Sequence, residues 1–132
     1  MALISQLLQN YPFSSQERFL QYVQIDTQSD PLSNSSPTTQ KQKNLGKVLV
    51  NELHAIGISN AELDEHGYVY AYLPSNVDHD VPGIFFCSHM DTSPDCSGAH
   101  VKPIVHPYYQ GQDIVLPDDP QVIIRLKDHP DL

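Results

Sequence analysis

An α/β fold with helices packed on a mixed β-sheet is the architecture predicted for this chain of 132 residues. Three observations predict it. Two segments with apolar residues at helical spacing precede three segments of strand character. The third of those strands, residues 81–88, is apolar enough to lie in the middle of a sheet. The composition, 39% hydrophobic and 17% charged, is that of a globular chain rather than a disordered one. The length suits one domain or part of one.

The first helix starts from a capping box in Ser14-Ser15-Gln16-Glu17, with Ser14 as cap and Glu17 three residues on. Phe19, Leu20, Tyr22 and Val23 form its apolar stripe, and Asp26-Thr27-Gln28-Ser29-Asp30-Pro31 closes it. Residues 31–42, rich in Ser, Asn, Thr and Gln, read as a solvated loop entering the second helix. Leu45, Val48, Leu49, Leu53 and Ile56 mark one face of that helix, and Gly57 suits a left-handed C-cap.

Residues 61–64 and 68–73 then form a hairpin around the turn signal Glu65-His66-Gly67. A polar turn at residues 76–80 leads into the apolar strand 81–88. Beyond Pro94 prolines become frequent. Residues 101–105 suit an irregular or edge strand, because proline interrupts a ladder. Residues 113–116 are a further candidate strand. Residues 122–126 are apolar but have nothing after them to pack against, so the chain reads as interrupted before the remaining parts of a site have appeared.

The formal net charge is −9 and the pI near 4.9, which excludes nucleic acid and anionic membranes as expected partners, since both require Lys and Arg against phosphate. Cys87 and Cys96 form no C-x-x-C pair, and Cys87 reads as a small core residue. Free thiols suit a reducing compartment. Met1-Ala2-Leu3-Ile4-Ser5-Gln6-Leu7-Leu8 lacks the basic and long apolar regions of a leader, and no run is long enough to span a membrane. The cytoplasm is the expected location.

The chemistry concentrates where the apolar strand ends, in Gly83-Ile84-Phe85-Phe86-Cys87-Ser88-His89-Met90-Asp91. In extended backbone residues i and i+2 share a side, so His89 and Asp91 face one site. A metal-ligating His usually donates its other ring N–H to a carboxylate, which sets its tautomer and raises its basicity. Taken alone, His-x-Asp also arises by chance, and a lone His at a strand end is more often a structural hydrogen-bonder. His54, His66, His79 and His106 read as surface residues. The Tyr68, Tyr70, Tyr72 alternation reads as an exposed strand face or an interface, and Asp118-Asp119 as a solvated turn.

The wider pattern is more specific. His89-Met90-Asp91-Thr92-Ser93-Pro94-Asp95, followed by Ser97-Gly98 and Val101-Lys102-Pro103, resembles the tripeptide aminopeptidases of the M20 family of dinuclear zinc metallopeptidases. Further matching segments lie in collinear order. They are Phe19-Leu20-Gln21-Tyr22-Val23, Ile25-Asp26-Thr27-Gln28-Ser29, the helix carrying Asn51-Glu52-Leu53, Leu63-Asp64-Glu65-His66-Gly67-Tyr68-Val69, and Tyr109-Gln110-Gly111-Gln112-Asp113-Ile114-Val115-Leu116. The resemblance covers most of the chain from about Phe13 to Leu116.

The resemblance implies an incomplete zinc-peptidase catalytic domain, with residues 1–132 as its amino-terminal portion, truncated before the other metal ligands. It implies His89 as ligand to one of two zinc ions, Asp91 as the carboxylate that orients and polarises it, and short peptides as substrates. It also implies a metal-bridging Asp, a Glu pair, a further carboxylate and a distant His, all beyond the equivalent of Leu132. A catalytic zinc takes about three protein ligands, so the isolated chain is expected to be inactive. Cys96 and His100 depart from the family pattern, which has a bulky apolar residue and an Asn there; this bears on substrate contacts. Two alternatives remain open: a non-catalytic fragment or interaction module, and a dipeptidase or deacylase of the same family.

Overall fold

The computed structural model describes residues 15–132. The expected cap Ser14 and the stretch read for a leader lie outside the described residues. In chain order the elements are helix α1 (Ser15–Tyr22), helix α2 (Gln42–Ala55), strands β1 (Glu62–Leu63), β2 (Val69–Tyr70), β3 (Ile114–Val115) and β4 (Ile123–Ile124), and a closing 3-10 turn (Leu126–Asp128). Helix and strand both occur, compatible with a mixed α/β fold. The sheet, however, differs from the one expected. Among the described residues there are two separate two-stranded sheets, β1-β2 and β3-β4, each antiparallel. The parallel component is a single isolated bridge between Gln28 and Thr92.

The best-packed unit is α2 on the β1-β2 hairpin. Leu45 and Gly46 are the buried positions of α2, and Ala61 is buried beside β1. A Cβ on Gly46 would lie 2.7 Å from Cδ1 of Leu63, so the bare backbone is what lets the hairpin approach the helix. Gly57 ends α2 at φ +93°: its N–H donates to the carbonyl of His54 at 3.0 Å, and the Ile58 N–H donates to that of Leu53 at 2.9 Å. This pair of bonds is the Schellman arrangement, which satisfies carbonyls that the helix end would otherwise leave open. The hairpin pairs Glu62 with Tyr70 and Leu63 with Val69, in agreement with the turn read at Glu65-His66-Gly67. The Asn60 side chain extends the pairing, bonding both N–H and C=O of Tyr72 at 2.9 and 2.7 Å.

Three expectations are corrected. Residues 81–88 form no strand: Ile84, Phe85 and Phe86 are 82%, 83% and 88% exposed, and Cys87 is exposed rather than a core residue. An apolar run specifies that burial is favourable but not what will cover it, and a central strand needs neighbours on both edges. None runs beside it among the described residues. Phe19, placed on the apolar stripe of α1, is 64% exposed. Residues 101–105 are irregular, one of the two forms expected of them. Residues 122–126, expected to lack a packing partner, find one upstream: Ile123 and Ile124 pair with Val115 and Ile114. Tyr68, Tyr70 and Tyr72 are exposed as read.

Gly57→Ala is expected to lower stability by about 1 kcal/mol, because Ala at this φ carries the left-handed penalty. Urea unfolding compared with the parent chain measures this, and an unchanged midpoint would refute the capping role.

Candidate functional site

His89 and Asp91 stand on extended backbone just past the exposed apolar run. The ring of His89 turns back toward its own chain: Nδ1 lies 2.9 Å from the backbone carbonyl of Asp91 and 3.2 Å from its carboxylate Oδ1. Both neighbours are acceptors, so Nδ1 carries the proton and donates. In the neutral ring the lone pair is then on Nε2, which makes no hydrogen bond among the described residues. The side chain of His89 is 84% exposed and that of Asp91 43%. This is the orientation that a metal-ligating imidazole adopts, with one nitrogen braced by a carboxylate and the other presented outward.

What holds Asp91 in place is a seam to a segment more than sixty positions upstream. Thr92 donates its N–H to the carbonyl of Thr27 at 3.2 Å, and its own carbonyl accepts from the N–H of Ser29 at 3.0 Å and from Ser29 Oγ at 3.0 Å. The Gln28 side-chain amide reaches across as well, donating to the carbonyls of Pro94 at 3.2 Å and Cys96 at 2.9 Å. Thr27 is 2% exposed, the most completely buried polar residue described.

The upstream strand of this seam is itself braced. Thr39 Oγ1 donates to the Gln28 carbonyl at 2.8 Å. Asp26 accepts from the Gln28 N–H at 3.1 Å and pairs with Lys41 Nζ at 2.9 Å. The Lys41 ammonium, with the Gln28 N–H second, holds the Asp26 carboxyl below the usual carboxylate range. Gly98 completes the contact: a Cβ there would come within 3.1 Å of Asp26 Oδ1 and 3.3 Å of Thr92 Oγ1.

His89, Met90 and Asp91 form one wall of an open cleft of about 920 Å³. Leu49, Leu53 and Ile56 of α2 contribute to its lining, as do Phe85 and Phe86. Arg18 and Tyr22 of α1 meet Glu52 of α2 on the same lining. The Tyr22 hydroxyl donates to Glu52 Oε2, and Arg18 Nε lies 3.5 Å from that oxygen. Burial, with the Glu52 carboxylate second, pushes the Tyr22 phenol up to about 12.

The donor set decides what the site can hold. No group of three or more His, Cys, Asp or Glu converges among the described residues. His89 with Asp91 therefore has the chemistry of one metal ligand, against the three or so that a catalytic metal takes, and these residues complete no metal centre. Both residues singled out from the sequence meet as expected. The seam is not legible in the sequence, where Asp26-Thr27-Gln28-Ser29 closes a helix and carries part of the resemblance. The one available signal was a run of short polar side chains able to bond backbone, just after an amphipathic helix.

No protein-family model matches this chain. Among curated proteins it is similar to the peptidase T of Clostridium acetobutylicum, 53% identical over 116 residues, which is 88% of this chain and 28% of that protein. The peptidase T of Geobacillus sp. (strain WCH70) is 50% identical over the same share of each. That of Aliivibrio fischeri is 55% identical over 100 residues, 76% of this chain and 24% of the relative. The resemblance read from the sequence is thus borne out. The chain spans about 28% of the length of the relatives matched over 116 residues. No helix among the described residues is long and apolar enough to cross a membrane.

The Tyr22 proton links the cleft to alkaline pH. A phenol whose folded pKa lies above its ordinary value of 10.0 contributes stability that is complete below pH 10 and lost as pH rises toward 12. The parent chain should lose stability across that window, and Tyr22→Phe should flatten the loss. Denaturant midpoints at stepped pH measure it; equal slopes in both proteins would overturn it.

Proposed function

We propose that this chain forms the amino-terminal portion of the catalytic domain of a zinc-dependent tripeptide aminopeptidase, which releases the amino-terminal residue of short peptides. His89 is a ligand to one zinc ion through Nε2, and Asp91 fixes the ring by accepting the Nδ1 proton. The observation that carries the reading is the braced, outward-facing imidazole on the cleft wall. Relatives named peptidase T that are about half identical over most of the chain support it. When bound, zinc supplies Lewis-acid polarisation of the scissile carbonyl and a lowered pKa for its water. This chain's own part is narrower. Asp91 keeps the proton on Nδ1 and so leaves the lone pair of Nε2 for the metal. The remaining ligands and the general base are assigned to polypeptide outside these residues. Two free exposed thiols suit the reducing cytoplasm, where we place the protein.

Two measurements test this. The purified 132-residue chain should hydrolyse no tripeptide with zinc present. Joined to the part of the Clostridium acetobutylicum relative outside the matched region, it should do so. In that chimera His89→Ala should abolish activity, and Asp91→Ala should weaken zinc binding about 10- to 100-fold. Full activity in the His89→Ala chimera would sink the assignment.

A second reading, a non-catalytic interaction module, is favoured by the exposed Ile84, Phe85 and Phe86. On that reading the chain sediments as an oligomer. A monomer with cooperative melting counts against it.

A further inference from the structure

We infer that Gln28 is a positioning residue for the His89–Asp91 pair: its side-chain amide clamps the turn after Asp91 and so keeps the carboxylate behind the imidazole. This rests on the reading of His89 as a ligand and Asp91 as its orienting carboxylate.

The geometry has three parts. First, Gln28 is placed between two anchors. Its carbonyl accepts from Thr39 Oγ1 at 2.8 Å, and its N–H donates to Asp26 Oδ1 at 3.1 Å. The residue therefore has little freedom to drift, and its side chain leaves from a fixed point.

Second, both hydrogens of the carboxamide have work across the seam. Nε2 donates to the carbonyls of Pro94 and Cys96, at 3.2 and 2.9 Å. Two carbonyls two residues apart, facing one NH2 group, define a turn that only a double donor can close. Neighbouring Ser29 and Thr27 hold Thr92 by its backbone, and the hydrogen bonds described for them reach no further along the turn. Gln28 alone reaches the far side of the turn among the bonds described.

Third, Asp91 has a narrow tolerance. Its carboxylate lies 3.2 Å from His89 Nδ1, at the long end of a hydrogen bond, beside the shorter 2.9 Å approach of Nδ1 to the Asp91 carbonyl, which sits on the same clamped stretch of backbone. A small rotation of the chain at Thr92 breaks that bond. With the turn clamped at positions 94 and 96 and the backbone held at 92, such a rotation is resisted from both sides. A glutamine is suited to this and a glutamate is not, since a carboxylate would face two carbonyl oxygens with no proton to offer.

The test reads the His89 ring itself. In the 15N-labelled chain, long-range proton–nitrogen NMR above the imidazole titration range reports which ring nitrogen carries the proton. The parent chain is expected to hold the Nδ1–H form. Gln28→Ala and the isosteric Gln28→Glu should each lower the ratio of Nδ1–H to Nε2–H by about threefold, the effect of a modest hydrogen bond lost. Gln24→Ala, which removes an amide bonded to the Leu20 carbonyl within the α1 region, should leave the ratio unchanged. A purely structural role for Gln28 would alter stability but not the tautomer ratio of the folded protein. An unchanged ratio in both Gln28 variants, with amide spectra still those of a folded chain, would overturn the inference. Should the alanine variant unfold, the glutamate variant decides alone. If the parent ring is not in the Nδ1–H form, the pair itself fails, and the inference with it. If the parent ring is and the variants do not differ from it, the inference alone fails.

Discussion

The site depends on one short seam of hydrogen bonds, in which residues 27–29 hold the backbone of Thr92. The two sides are more than sixty residues apart in sequence, so closing the contact orders a long stretch of chain. Loop-closure entropy rises slowly with length. Even so, a seam of this size must be reinforced to persist. The reinforcement is visible on the upstream side. The Thr27 side chain is buried, Asp26 is tied to Lys41, and Thr39 bonds the Gln28 carbonyl. The segment that looks like a loop after a helix is in effect the jig on which the His89 loop is set.

A second constraint works against the first. Ile84, Phe85 and Phe86 lie immediately before the site and stand almost wholly in water. Burying side chains of this kind is worth about 1.5–3 kcal/mol each, so leaving three out forgoes a sum comparable to the net stability of a small domain. The cleft that Phe85 and Phe86 help to line is apolar on the α2 side as well, through Leu49, Leu53 and Ile56. The surfaces are chemically matched, but the described residues do not bring them into contact. A run of such residues without ladder partners cannot be buried cheaply, because its own N–H and C=O groups would go into the interior unpaired.

On the proposed function, the braced His89 ring is a prepared ligand. The bond from Nδ1 to Asp91 is made between residues two apart in one stretch of chain, and by itself it restricts the ring. Preorganisation of this kind lowers the entropic cost of ligation and selects the nitrogen that ligates. It does not choose the metal, because one imidazole suits several divalent ions.

The sequence by itself determined the local elements and the meeting of His89 with Asp91. The α2 face, the Gly57 terminator and the hairpin around Gly67 follow from apolar spacing and turn chemistry, which act over a few residues. His89 and Asp91 were legible for the same reason, since alternation on extended backbone puts them together whatever surrounds them. Only the tertiary structure decided the rest. It paired Ile123 with Val115, left residues 81–88 unpaired despite their apolar character, and set Gln28 against Pro94 and Cys96. These depend on which distant groups satisfy one another's hydrogen bonds. A residue's own pattern states its need for a partner, but the partner is selected by geometry across the fold.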